Sequence, residues 1–503
     1  MNLPLFVWLI LLPLLASPLV YLVGRLFRKP QFQRAPNLVA LLALAATWIP
    51  FINAASALAK GNNLKYSFGS ISLQMDGLGL LLAAVALGLG TFVVLYSGPY
   101  LSRETGQEKF YAMLVLMISM IIGMGSATDL FNLWIWFEAM AVTSYLLVAF
   151  YRERAASLEA GIKYLVQSAA GSALIVVGIA LVLAATGNLE LAHIRSTAGT
   201  SPGGASALLL AAGTLFVIGF GVKAALVPLH TWLPDAHSQA PSGISAMLSG
   251  VVIEAGLIAM LRALGALLAV TASWPLLLIG FGALKMIVGN LMALQQKQVK
   301  RLLAYSSVAQ VGYMLLGLGI SFYSGNPAGA QGSLFHLLNH GMMKGLAFLS
   351  AGAFLYTLHI RAGDHAPLLG ADLAGAARRY PLAALSLSIA VLALGGLPPL
   401  AGFMSEWQIF AAGFQTRNLW IELVVVFAAL NSVLSLAYYA PMVNAMYRLE
   451  PSARVRQGSH LPLAMNIPLV VLGLAVVLIG IWPSLMNWLT VPAGQALLAG
   501  MGG

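Results

Sequence analysis

Eight ionisable residues lie inside long apolar stretches of this sequence, where a charged side chain is costly. They are Glu138, Lys223, Glu254, Lys285, His336, His340, Lys344 and Glu406. Four of them, Glu138, Glu254, Lys285 and Lys344, fall near the midpoints of their stretches. A lone charge at the centre of a bilayer costs about 2.5 to 3.5 kcal/mol on insertion scales, so these residues need partners, water or shielding by protein. The set predicts an ion or proton path. Ion pairs that only hold helices in register are the alternative.

Three of these residues, His336, His340 and Lys344, are spaced i, i+4, i+8, which places them on one face of a helix. Two histidines at this spacing could bind a metal or a haem, with ligands from other helices. The sequence has no cysteine and no acidic motif near them, so a proton relay is favoured. Without cysteine there is also no disulfide, no cysteine-ligated iron–sulfur cluster and no thiol nucleophile. We expect no cofactor and no catalytic centre on this chain, with any redox chemistry on another subunit.

Two apolar stretches are interrupted by proline beside an ionisable residue. Pro228 follows Lys223 by five residues, and Pro398 and Pro399 precede Glu406. Proline removes a backbone donor and frees a carbonyl in the preceding turn. Paired breaks in corresponding positions are typical of an inverted-repeat transporter. Two ordinary proline kinks are the alternative.

The elements that carry these residues must be membrane helices. The chain has 503 residues, of which 8% are charged and 60% hydrophobic, with a mean hydropathy of +0.89. The apolar runs do not alternate with polar residues, which excludes a β-barrel. We therefore predict an all-α polytopic membrane protein with a single membrane domain over residues 1–503. Its fourteen apolar segments centre on residues 3–23, 37–59, 77–98, 110–127, 130–150, 162–186, 206–227, 241–269, 274–294, 299–322, 330–358, 381–413, 419–447 and 466–488.

The basic residues predict the orientation of these segments. Odd-numbered connections hold 18 of the 26 Lys and Arg residues, Arg28 and Lys29 among them, and even-numbered connections hold 4. Basic loops stay on the cytoplasmic side. The pattern predicts a multi-pass protein of the cell inner (plasma) membrane with both termini on the non-cytoplasmic side. It also explains the net charge of +11 without nucleic acid. The first segment is expected to remain as a helix, because its basic residues follow it.

Four motifs, in order, resemble the antiporter-like subunits of respiratory complex I. They are FNLWIWFE (131–138), KAALVPLHTWLPDAH (223–237), KRLLAYSS (300–307) and HLLNHGMMK (336–344). The same family includes subunits of Mrp-type sodium/proton antiporters and of energy-converting membrane hydrogenases. The resemblance implies fourteen helices, with helices 4 to 8 (110–270) and 9 to 13 (271–450) as inverted five-helix repeats, flanked by 1–109 and 451–503. Helices 7 and 12 would be broken, and a proton path would follow the membrane midplane.

The resemblance also implies roles for single residues. Glu138 would pair with Lys223, Lys344 would link the half-channels, and Glu406 would form the far end. A glutamate at 406 is similar to the M-type subunit, whereas Glu254 stands where that subunit commonly carries lysine. We therefore predict that Glu254 pairs with Lys285, both being near their midpoints. We also predict that Lys344 lies in a polar, partly hydrated cavity shared with His336 or His340.

The function expected from this resemblance is that of a proton-translocating, non-redox subunit of a redox-driven ion pump. The complex would be a complex I-like NADH or ferredoxin–quinone oxidoreductase, or a membrane hydrogenase. Expected partners are the lipid bilayer and other membrane subunits, including homologous antiporter-like subunits and a redox arm, with no nucleic acid. Two alternatives stay open, a subunit of an Mrp-type sodium/proton antiporter and a membrane subunit of an inorganic-carbon uptake complex.

Overall fold

The structure, a computed structural model, describes residues 3–27, 34–69, 71–199, 203–364 and 366–500, without the side chains of 203–205 and 362. Arg28 and Lys29, counted above with the basic connections, lie outside these residues. Within the described residues the chain forms twenty α-helices and one antiparallel hairpin, β1 (Leu64–Phe68) with β2 (Ile71–Met75). The prediction of an all-α membrane fold is confirmed, with the hairpin lying between two spans.

The helices follow one another along the chain. They are α1 (Trp8–Leu26), α2 (Ala35–Ala59), α3 (Gly77–Tyr100), α4 (Gln107–Gly125), α5 (Leu130–Val148), α6 (Ala155–Thr186), α7 (Leu191–Ala198), α8 (Gly203–Lys223), α9 (Trp232–Gln239), α10 (Ser242–Met247), α11 (Ile253–Gly265), α12 (Trp274–Leu294), α13 (Val299–Ser324), α14 (Pro327–Leu358), α15 (Pro381–Leu394), α16 (Ala401–Gln415), α17 (Leu419–Arg448), α18 (Ala453–Gln457), α19 (Leu463–Ile481) and α20 (Asn487–Ala499).

Among the described residues, thirteen helical stretches are long and apolar enough to cross a membrane. The eighth of these, Ser242–Gly265, is continuous through α10, a π-helical turn at Leu248–Val252, and α11. The twelfth predicted segment is divided into the shorter α15 and α16. The final helix, α20, was not predicted, because its sequence is short and less apolar than a span.

The two helix breaks have the same backbone hydrogen bonds at positions 171 residues apart. After α8, the Leu226 amide donates to the Gly221 carbonyl at 2.8 Å; after α15, the Leu397 amide donates to the Leu392 carbonyl at 3.1 Å. The residue that precedes each of these leucines has a left-handed backbone conformation, with φ of 51° at Ala225 and 68° at Gly396. These breaks contain the prolines named above, Pro228 in the first and Pro398 and Pro399 in the second. The match supports an internal repeat, whose division at residues 110, 271 and 450 stays a prediction.

The basic connections gather at one end of the helices, which we call the basic edge. Arg103, after α3, donates to the carbonyl of Arg361, after α14, at 3.3 Å. Arg378, before α15, pairs with Glu450, after α17, at 3.0 Å. At the opposite edge, Arg195 of α7 donates to a carbonyl at the end of α20 at 3.0 Å. The arrangement agrees with the predicted division of the loops, while the membrane side that the basic edge faces stays a prediction.

Glu254 and the three ionisable residues of α14 lie on helices that the rest of the chain encloses. The most apolar stretches of Ser242–Gly265 and of α13 are completely buried by the rest of the chain, whereas those of α2, α6 and α17 are one-third buried. Small residues let α12 and α13 approach closely. A Cβ added at Gly289 would lie 2.6 Å from the Ala309 amide nitrogen. Such contacts are typical of helix packing in membranes. The central helices therefore have a protein environment on all sides.

Candidate functional site

Lys223 ends α8 and is 1% exposed, surrounded by hydroxyl groups. Its ammonium donates to the Tyr164 hydroxyl at 2.7 Å and lies 3.4 Å from the hydroxyl oxygens of Ser144 and Ser168. The Tyr164 ring stacks on Trp232, with ring centroids 3.9 Å apart. A hydroxyl can accept from an ammonium or donate to a neutral amine. This group of partners can therefore accommodate the lysine in either protonation state.

Glu138, on the neighbouring helix α5, does not touch Lys223 in this structure. The two residues are both described and form no ion pair, and the Glu138 Oε2 atom is buried without a hydrogen-bond partner. The adjacent Phe137 ring has its centroid 6.0 Å from the Lys223 ammonium. The predicted contact is thus absent from this conformation. A role for Glu138 in proton transfer stays a prediction.

Lys285 of α12 binds the carbonyl groups that the first break leaves free. Its Nζ atom donates to the carbonyl oxygens of Ala224 and Ala225, each at 2.7 Å, and the side chain is fully buried. These carbonyls belong to the two residues after Lys223. A lone buried charge is costly, and the two carbonyl dipoles give this ammonium its hydrogen bonds. Lysines of α8 and α12 therefore flank one break.

The pairing predicted for Glu254 and Lys285 is replaced by a pair between Glu254 and His340. The Glu254 Oε1 atom lies 2.6 Å from His340 Nδ1, and both side chains are fully buried. The sequence prediction assumed that neighbours in the chain would pair. Lys285 instead turns toward the break, and α14 brings His340 to the carboxylate. Glu254 Oε2 and His340 Nε2 have no partner, so the pair retains sites through which a proton can enter or leave.

His336, one turn before His340, connects this pair to the second break. Its Nδ1 atom is 2.9 Å from the Ser405 hydroxyl, and its Nε2 atom is 2.9 Å from Gln310 Oε1. Gln310 in turn donates from Nε2 to the Leu394 carbonyl at 2.9 Å. Since the amide oxygen of Gln310 can only accept, Nε2 of His336 must be the protonated nitrogen. Nδ1 is then free to gain a proton facing Ser405. The two histidine rings are 6.3 Å apart between centroids.

Lys344 occupies a polar but fully buried position one turn further along α14. Its Nζ atom donates to the Leu303 carbonyl at 2.9 Å and to the Ser306 hydroxyl. Tyr439 donates to the same Ser306 oxygen at 2.5 Å. The surroundings are polar, but the hydrogen-bond partners of Lys344 lie on α13 and are not the histidines. Hydration of this position stays a prediction.

Glu406 lies on α16, seven residues after Pro399 of the second break. Its Oε2 atom accepts from the Ser432 hydroxyl at 2.7 Å, while Oε1 is buried without a partner. Gly396 lies directly against it, because a Cβ added there would be 2.7 Å from Oε2. The acid is therefore held at the broken helix, as the sequence predicts for the end of the row.

Two basic residues at the basic edge complete the arrangement. His237 of α9 is fully buried, stacks on Phe348 with centroids 4.6 Å apart, and has no partner on either ring nitrogen. Lys300 of α13 donates to the Ala240 carbonyl at 2.5 Å and lines a cavity of 310 Å³ at this edge. Both residues belong to the sequence motifs described above, but the sequence alone predicted no role for them. It also missed Gln310, although one amide in an apolar helix is itself a signal.

The side chains thus form an ordered row along the bundle. Lys223 and Lys285 flank the first break, Glu254 and His340 follow, and His336 leads to Glu406 at the second break. Each of these side chains forms at least one hydrogen bond, and Glu254, His340 and Glu406 each keep one buried polar atom without a partner. Groups of this kind can bind and release protons. In the described part of the chain, no three His, Asp or Glu side chains are grouped as metal ligands would be; the absence of a cofactor stays an expectation.

The chain is similar to known proteins along almost its whole length. Residues 127–432 match the family described as NADH:quinone oxidoreductase/Mrp antiporter, transmembrane. The sequence is 31% identical to F(420)H(2) dehydrogenase subunit N of Methanosarcina mazei, over 97% of this chain and 98% of that one. It is 31% identical to NADH-quinone oxidoreductase subunit N of Desulforudis audaxviator, over 96% of each. The fold matches a chain of the membrane-bound sulfane sulfur reductase, an archaeal respiratory membrane complex, with a TM-score of 0.87, 28% identity and 99% coverage of both.

Proposed function

The chain belongs to the NADH:quinone oxidoreductase/Mrp antiporter family of membrane subunits, and on that premise we propose that it translocates protons as a non-redox subunit of a redox-driven pump. The observation that carries this proposal is the set of buried ionisable side chains that lies between two matched helix breaks. Interior ionisable residues are rare in membranes and mark ion or proton pathways. A structural scaffold would need neither the open sites on Glu254 and His340 nor two lysines around one break.

The Glu254–His340 pair is the central step of the proposed path. At 2.6 Å, one proton can be shared between the carboxylate and the imidazole. A second proton arriving at the free nitrogen of His340 produces an imidazolium, which the carboxylate stabilises. Transfer from His340 toward His336 moves that charge toward the second break. His336 can take the proton on Nδ1 without giving up its bond to Gln310, and Ser405 leads on to the neighbouring Glu406.

The cavity beside Lys300 is the proposed entry from the basic edge. His237 precedes Ser238 and Gln239, which line this cavity, and its two unpartnered ring nitrogens can accept and donate in turn. Redox energy released in partner subunits would change the charge at one end of the row. Each buried pair would then be stabilised or destabilised by the charge of its neighbour, because charges interact strongly where water is excluded.

The proposed partners are other membrane subunits and a redox arm. The relatives named above are N subunits of F(420)H(2) dehydrogenase and NADH-quinone oxidoreductase, which favours a redox-driven complex over the other two alternatives. The similarity of Glu406 to the M-type subunit stays a prediction. We further propose the inner (plasma) membrane as the location, with both termini on the non-cytoplasmic side because of the basic connections.

The experiment that tests this function is the substitution Glu254→Gln in the assembled complex. Glutamine keeps the size of the side chain and can accept from His340, but it cannot carry a proton. We expect the complex to assemble and the number of protons moved per electron to fall. Proton uptake into membrane vesicles, followed with a pH-sensitive dye, would be compared with the rate of electron transfer.

The matched control is Glu450→Gln, which removes a carboxylate that is 74% exposed at the basic edge. Its ratio of protons to electrons should equal that of the wild type. An unchanged ratio in the Glu254→Gln complex would remove the central pair from the path. Cation-driven proton exchange by a preparation without any redox partner would instead favour the antiporter alternative.

A further inference from the structure

A large cavity opens at the basic edge, away from the buried row. It has a volume of 750 Å³ and lies between the ends of α1, α4, α5 and α6. Its apolar wall includes Met113, Leu146 and Leu158. Leu146 and Leu158 are 50% and 41% exposed, so the wall is open on the outer side of the bundle. A cavity of this size can enclose a small molecule or part of a larger one.

The mouth of the same cavity is charged. Lys109, Arg152 and Arg154 line it together with Glu104 and Glu153. The two outermost of these, Arg152 and Glu153, are 65% and 87% exposed and lie 3.6 Å apart, so they largely offset each other. Of the remaining three, two are cations. The Arg154 guanidinium is fixed over the Tyr151 ring, 4.3 Å from its centroid.

The charged and apolar parts lie at different depths. Helix α4 begins at Gln107, α5 ends at Val148 and α6 begins at Ala155, so the charged residues lie in the connections or in the first turn of α4. Leu146 and Leu158 lie within the terminal turns of α5 and α6, and Met113 lies further inside α4. At 1.5 Å per residue, Met113 lies about 9 Å deeper than Gln107. That distance takes the cavity from the headgroup region of a bilayer into its hydrocarbon.

We propose that this cavity binds a phospholipid with an anionic headgroup. Its phosphate contacts Lys109 and Arg154, and the first carbons of its acyl chains lie against Met113, Leu146 and Leu158. Basic pockets between membrane helices are suited to such headgroups. A protein subunit at this face is the competing occupant, but one cavity that is cationic at headgroup depth and apolar below it matches both halves of a lipid.

The test uses the full chain, purified with its membrane partners. The preparation is incorporated into bilayer discs of equal amounts of phosphatidylglycerol and phosphatidylcholine, then re-extracted, and the retained lipids are identified by native mass spectrometry. We expect wild-type protein to retain phosphatidylglycerol selectively. The double variant Lys109→Gln/Arg154→Gln should bind it about 25-fold more weakly, because each basic side chain near an anionic lipid contributes about fivefold to affinity.

Two further variants keep the result decisive. Leu146→Trp fills the apolar half without altering any charge and should also lose the lipid, so it carries the test if the double variant does not fold. Arg448→Gln removes an exposed cation at the same edge but outside the cavity, and its retention should equal that of the wild type. Equal retention by all variants, or equal retention of both lipids by the wild type, overturns the proposal. A cross-link from Lys109 to a neighbouring subunit, with no lipid retained, overturns it in favour of a protein interface.

Discussion

Replacing Gly396 by alanine should damage the second helix break in a way that can be separated from a simple backbone effect. Gly396 has a φ of 68°, which costs a residue with a Cβ about 1 to 2 kcal/mol. The new Cβ would lie 2.5 Å from the Ser432 hydroxyl oxygen and 2.7 Å from Glu406 Oε2. The Ser432 hydroxyl donates a hydrogen bond to Glu406 Oε2 at 2.7 Å. At least one must move, and loss of this buried hydrogen bond costs about 1 to 3 kcal/mol.

The expected loss in the free energy of unfolding is therefore about 2 to 5 kcal/mol. Gly325 provides the matched control, because its φ is 71° and a Cβ there would meet nothing within 4 Å. Gly325→Ala should lose only the backbone contribution of about 1 to 2 kcal/mol. Replacing glycine by alanine also lowers the conformational entropy of the unfolded chain, which adds some stability. This contribution is the same in both variants, so it cancels when their free energies of unfolding are compared.

Denaturant titration of the purified protein in detergent measures the stability difference, and proton uptake by vesicles measures the function. Gly396→Ala should be less stable than Gly325→Ala by about 1 to 3 kcal/mol and should move fewer protons per electron, because the carboxylate is displaced. Equal stability and equal pumping of the two variants would refute the reasoning that Gly396 is required to position Glu406.

Two other substitutions test the polar contacts at the breaks. Gln310→Leu removes the donor to the Leu394 carbonyl and the acceptor for His336, so it should lower the free energy of unfolding by about 2 to 6 kcal/mol, at about 1 to 3 for each buried group left unpaired. A change under about 0.5 kcal/mol, as is usual at the surface, would contradict this. Lys285→Met leaves two carbonyls of the first break without their donor and should cost a similar amount. Lys297→Met, at an exposed lysine just after α12, should have almost no effect on the free energy of unfolding. If the Lys285→Met and Lys297→Met variants change the unfolding temperature equally, Lys285 does not support the break.

Composition and hydrophobic runs were sufficient to predict the membrane fold, because each span must satisfy its own backbone in lipid. The positions of the breaks also followed from the sequence, since proline cannot donate a backbone hydrogen bond. The sequence could not predict that Gly396 and Ala225 would adopt the same left-handed conformation, because alanine rarely does so. It also gave no reason to expect α20, which is too short to span a membrane and contains Pro492.

The partners within the site were less predictable than its members. Depth along a helix could be counted from the sequence, and it placed Glu254 and Lys285 near the middle of their segments. Which way each side chain points depends on the rotation of its helix, and that is set by packing between helices distant in the chain. Gly282 and Gly289 on α12 show this, because they bring α13 against the same helix that carries Lys285. His340, distant in sequence, therefore became the partner of Glu254.

The complete burial of the central spans has a consequence for how the protein responds to its membrane. Since Ser242–Gly265 and α13 have no surface facing the lipid in their most apolar stretches, changes in bilayer thickness or tension act first on the outer helices α2, α6 and α17. Helices α6 and α17 carry Tyr164 and Ser432, the hydrogen-bond partners of Lys223 and Glu406. A thinner membrane that tilts those helices therefore moves the contacts at the two breaks, whereas the Glu254–His340 pair between them lies on enclosed helices. The protonation of the two ends should follow bilayer thickness more closely than that of the central pair.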